Sequence, residues 1–81
     1  PAIYRVQGLG ARLVRRGASH QLQTPAGKAT VADAEAKLAE WVLTRDFFSA
    51  EELAVAARAS GLPDAVAAVR NFQAAGLICP V

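Results

Sequence analysis

Few side chains in this 81-residue chain belong to types that do chemistry, and they are scattered. His20 is the one histidine and Cys79 the one cysteine. Ser19 stands beside His20, but neighbours on an extended chain point to opposite faces, so the two make no nucleophile–base pair. Cys79 sits in an apolar tail with no base near it in sequence, which reads as a structural thiol. A lone cysteine excludes an intramolecular disulfide and a cysteine-based metal site. The run TPAGKAT invites comparison with a phosphate-binding loop. That loop needs a glycine five residues before Gly27, where Leu22 stands, and Ser or Thr after Lys28, where Ala29 stands. The run reads instead as a turn with an exposed lysine. Glu51, Glu52 and Asp64 fall at helix starts, where capping and the helix dipole explain them, and Asp33 and Glu40 read as helix-surface residues. No arrangement suits hydrolysis, redox chemistry or group transfer, so the expectation is a non-enzymatic protein with no catalytic residue, cofactor or metal.

Binding is the chemistry that remains, and charge is its clearest trace. Net charge is only +2. Residues 1–28 hold Arg5, Arg12, Arg15, Arg16 and Lys28 with no acid, while residues 29–81 hold four bases against seven acids, net −3. An all-basic front suits a phosphate-facing surface, and equally a solvated hairpin whose arginines protect its edge. Hydrophobic residues make up 53% of the chain, but much of that is alanine, and there are three Phe, one Tyr, one Trp and no Met. The core is therefore thin, which leaves room for a homodimer or a partner surface, with Trp41 on the first helix as the candidate. No apolar run approaches the ~18 residues of a membrane span, and no signal-peptide pattern is present. A soluble cytoplasmic protein is the expectation.

The elements that must position these groups are strands first and helices after. AIYRVQ alternates and is rich in β-branched and aromatic residues, and ARLVRR and SHQLQT flank Gly17 as a hairpin. Pro25 and Gly27 close this region. Thr30 can cap a first helix, with Asp33 three residues on, and Val31, Ala34, Leu38, Trp41 and Val42 form its apolar face. The second helix opens on Ser49 with Glu52 at its third position, a capping box, and Phe48 can staple to Leu53. Gly61 ends it. Pro63 and Asp64 open a third helix with Val66, Val69 and Phe72 as its buried stripe, and Gly76 ends that helix before a short terminal strand. Phe47 is the candidate exposed aromatic beside Trp41.

The segment F-S-A-E-E-L-x(7)-G-L-P, continuing through V-x-x-F-x-x-x-G-L-I, resembles winged helix-turn-helix domains over residues 30–81. The likeness implies a recognition helix after Gly61 and a wing strand after Gly76. In such domains the start of the third helix reads bases. Here that start is Pro63, Asp64, Ala65, Ala67 and Ala68, and only Arg70, Asn71 and Gln73 have base-reading chemistry. Three N-terminal strands before three helices is also similar to the peptide-recognition elements of ribosomal-peptide modification systems. Those relatives bind a leader peptide as an added strand on a sheet edge, a mode that leaves little sequence signature.

The expected fold is thus α+β: one small winged-helix-like domain over 1–81, with a basic β region at 1–28 and a three-helix part at 30–81. The first functional expectation is a DNA-binding regulator. In it Arg12, Arg15 and Arg16 hold phosphates while Arg70, Asn71 and Gln73 contact DNA from the third helix. The alternative is a protein- or peptide-binding adaptor that uses Trp41, Phe47, Ala65 and Ala68.

Overall fold

Period-two alternation over residues 12–31 builds one antiparallel meander. The computed structural model describes residues 2–81. Strand β1 (Ile3–Val6) stands apart from β2 (Arg12–Arg16), β3 (Ser19–Thr24) and β4 (Gly27–Val31), which pair in the order β2-β3-β4. Leu13 opposes Leu22, which opposes Ala29, and His20 opposes Val31. These residues share the inner face, where Leu22 and Val31 are buried. Arg12, Gln23 and Lys28 lie opposite one another on the outer face, as do Val14, Gln21 and Thr30. The β2–β3 loop is two residues long and opens on Gly17 at φ +61°, a left-handed position that suits glycine.

The chain then runs through α1 (Asp33–Leu43), β5 (Phe47–Ser49), α2 (Ala50–Ala59), α3 (Ala65–Ala74) and β6 (Ile78–Pro80). The α+β class is as expected, with two differences in detail. TPAGKAT is more than a turn: Pro25 and Ala26 form a two-residue loop and the rest is strand β4. Thr30 therefore lies in that strand and caps nothing, and Val31 belongs to the meander rather than to α1. Helix α1 starts after Ala32 with no side-chain cap, and Asp33 and Glu35 complement its dipole. The second difference is a small sheet, β5-β1-β6, in which β1 sits between strands from the helical part. Tyr4 stacks on Phe48 there at 5.6 Å, which binds the first strand to the core.

Leu22, Leu38, Val42, Phe48, Leu53, Phe72, Leu77 and Ile78 form the centre of one hydrophobic cluster shared by both sheets and all three helices. Phe48 and Leu53 are both buried in it. Helix α2 carries the full capping box: Glu52 N–H donates to Ser49 Oγ at 3.1 Å, and Ser49 N–H donates to Glu52 Oε1 at 3.0 Å. The Ser49 main-chain bond holds the Glu52 carboxyl below its ordinary value, with the Ser49 side chain and Arg45 adding to the effect. A lowered folded pKa means that this contribution is full above the unfolded value and fades as pH falls through the folded one. Ser49→Ala is expected to cost about 1 kcal/mol at neutral pH, measured by urea unfolding. The Glu52 half of the box, which rests on a charged carboxylate, should fade in acid, whereas the serine cap should not.

Helix α3 differs at its start and along its stripe. Asp64 is its N-cap and accepts from the N–H groups of Val66 and Ala67, so Pro63 lies outside the helix. Val66 is 62% exposed, and the buried positions are Ala68, Phe72 and, just beyond the helix, Ala75. The inward face runs through Ala65, Ala68, Phe72 and Ala75 at spacings of three and four, with Val69 half-buried beside it, and Val66 falls outside it.

Candidate functional site: a groove between β4 and α3

An edge strand presents a row of main-chain donors and acceptors, and most proteins blunt such edges. Three of the four edges here are blunted. Strand β2 carries Arg12, Arg15 and Arg16, β5 has three residues, and β6 has three including Pro80. Strand β4 has five residues and one charge, Lys28. Among the described residues, its main chain bonds to β3 on one side, where Thr24 Oγ1 adds a long 3.4 Å contact to the Gly27 carbonyl, and to nothing on the other.

That open edge borders a groove of about 340 Å³ whose far wall is α3. Asn71, Ala74 and Ala75 stand at spacings of three and four, hence on one side of the helix, and the groove is floored by buried Leu22 and Phe72. Small side chains on that wall keep the space empty. Both ends of the groove are tied. At the Gly27 end, Thr24 Oγ1 donates to the Ala75 carbonyl. There Gly76 lies so close to the β3–β4 loop that a Cβ on it would sit 2.8 Å from Ala26 Cβ. At the Val31 end, Asn71 Nδ2 donates to Glu35 Oε1 and Oε2, each at 3.4 Å, bridging α3 to α1. The groove is thus tied to β3 at one end and bounded by the α3–α1 contact at the other. Gly76 also has φ +78°, where a side chain costs about 1–2 kcal/mol before any clash. Gly76→Ala is expected to exceed that loss in urea unfolding and to disturb the Gly27 end of the groove.

The residues expected to hold DNA are divided. Arg12 and Arg16 project from the outer face of β2, with Arg12 Nε donating to Gln23 Oε1 at 2.9 Å, and Lys28 joins them on that face. Arg15 lies on the inner-face register with His20, next to α1. Strand β2 and the α3 groove lie at opposite edges of the meander. On α3, Asn71 and Gln73 are two apart and so point to nearly opposite sides. Asn71 turns to Glu35, Gln73 is half-buried, and Arg70 is exposed.

The expected partner residues are not brought together either. Ala68 is 1% exposed and therefore core, and Ala65 is half-buried against the same cluster. Trp41 meets Phe48 edge-on at 5.5 Å, whereas Phe47, 58% exposed, lies on the opposite face of β5. Trp41 does line a second groove, with Val55, Ala56 and Ala59. Two of its three charges are paired with each other: Arg45 lies 4.4 Å over the Trp41 ring and meets Glu52 at 3.3 Å, while Lys37 lines the same groove. It offers no open strand edge.

His20 Nδ1 lies 3.3 Å from Asp33 Oδ1, off the direction of a hydrogen bond. With the Asp33 carboxylate exposed, this is a contact between the meander and the start of α1 rather than a reactive pair. Cys79 Sγ accepts from the Gln7 amide at 3.4 Å. Among the described residues no helix is long and apolar enough to cross a membrane. No protein-family profile, curated protein or solved structure matches the chain.

Strand β4 was hidden in the sequence by the strength of its loop. Pro25 and Gly27 read as a terminator. The signal that reveals the strand is weaker: after the loop, Ala29 and Val31 continue the inward alternation of Leu13 and Leu22.

Proposed function

We propose that this chain is a non-enzymatic peptide-binding module that takes an extended segment of a partner as a fourth strand on β4. The observation that carries the reading is the open β4 edge facing a preformed groove with an alanine wall. Strand addition supplies affinity through main-chain hydrogen bonds and selects alternate side chains through the groove. The likeness to peptide-recognition elements of ribosomal-peptide modification systems agrees with it, and the partner would then be a leader-type peptide in a reducing, cytoplasmic setting.

A second reading, a winged-helix DNA-binding regulator, draws on the basic outer face formed by Arg12, Arg16 and Lys28. It is the weaker reading, because Arg70, Asn71 and Gln73 diverge and the Asp64 carboxylate occupies the start of α3.

Peptides selected from a displayed random library test the first reading by N-methylation along the bound segment. Strand addition predicts that methyl groups on alternate amides abolish binding while those between are tolerated. A flat profile would exclude it. Arg15→Glu combined with Arg16→Glu is expected to leave peptide binding within about twofold, since neither residue lines the groove. If instead the protein shifts mixed-sequence duplex DNA at ~50 mM salt and this double variant does not, the DNA reading is the better one.

A further inference from the structure

The groove has a chemical polarity that its apolar centre hides. At the Val31 end stands Glu35, half-buried and lining the space, and among the described residues no cation lies within ion-pair distance of it. Its two oxygens receive only the long 3.4 Å bonds from Asn71, a neutral amide. A carboxylate partly withdrawn from water without a cation is poorly compensated, and a guanidinium or ammonium brought beside it gains more than it would on an open surface. At the centre, Ala29 faces inward beside buried Phe72 and Ala75, where an apolar side chain fits and a charge does not.

A strand added to β4 carries these two demands on the same face. Inward positions on β4 are Gly27, Ala29 and Val31, two residues apart. A partner side chain beside Ala29 enters the apolar centre, and one beside Val31 meets Glu35. Antiparallel addition continues the pairing of the whole meander and is the slightly stronger geometry per residue. The partner then runs from the Glu35 end towards the Gly27 end.

Resting on the peptide-binding reading, we infer that the segment this groove takes has a basic residue, arginine or lysine, two positions before an apolar residue. The first pairs with Glu35 and the second fills the space over Phe72.

The test pans a displayed random 12-residue library against the folded chain and against Glu35→Gln, which keeps an acceptor for Asn71 and removes the charge. The expected result is enrichment of Arg or Lys two positions before an apolar residue on the native chain. On Glu35→Gln the basic preference disappears while the apolar one stays. The best native-selected peptide, made synthetically, should bind Glu35→Gln at least tenfold more weakly. Glu35→Lys should recover binding when the peptide's basic residue is changed to Glu. Peptides that bind at β4 by the alternating N-methyl profile yet ignore charge at residue 35, or place the basic residue after the apolar one, overturn this inference and leave the strand reading standing. Binding without the alternating profile, or no binding at all, overturns both.

Discussion

Phe72→Ala is expected to cost about 3–5 kcal/mol in urea unfolding, the largest loss of any single truncation on α3. Phe72 has no exposed surface and sits where the meander, α3 and the terminal strand meet. Its neighbours include Ala68 and Ala75, which are too small to move into the vacated space. The core has few large groups to share the loss. A domain of this length has about 4–12 kcal/mol of stability in total, so the loss takes a large share of it and the urea midpoint should fall sharply. Phe72→Leu retains much of the volume and should cost markedly less. Equal losses for the two would mean that the ring is not packed as described.

Ala74→Trp is expected to abolish peptide binding while the fold survives. Ala74 is exposed on α3 and lines the groove opposite β4. An indole there occupies the space that an added strand must enter, and nothing buried has to move to admit it. The loss should be at least tenfold, about 1.4 kcal/mol, with little change in the urea midpoint. Ala59→Trp is the matched control: Ala59 is also exposed, but it lines the Trp41 groove between α1 and α2. It should bind peptide normally. The reverse pattern, with Ala59→Trp blocking and Ala74→Trp harmless, would move the partner site to the Trp41 groove.

The parts of the fold written in local chemistry were legible in the sequence. Ser49 and Glu52 announce the start of α2, Gly61 and Gly76 end α2 and α3 with positive φ, and Gly17 marks the first hairpin. The site was legible only in outline. Alanine on the third helix suggested room for another chain to approach closely, and the alanines singled out were Ala65 and Ala68. Ala68 shares the inward face with Phe72 and Ala75 at spacings of four and three, while Ala74 and Ala75 line the groove. The other wall depends on long-range pairing. Nothing local says that Gly27–Val31 is an edge strand, because edge status is decided by what fails to pair with it. Glu35 carried no signal in the sequence, and its place at the groove's end follows from the α1–α3 bridge to Asn71.

The central claim is that β4 accepts a fourth strand, and amide hydrogen exchange across residues 27–31 addresses it most directly. With a library-selected peptide bound, the amides of β4 that point away from β3 should slow strongly while those already bonded to β3 change little. Resonances of Ala74 and Ala75 should shift with them. Protection confined to Arg12–Arg16 on β2, or shifts confined to Trp41, Val55 and Ala56, would contradict the account.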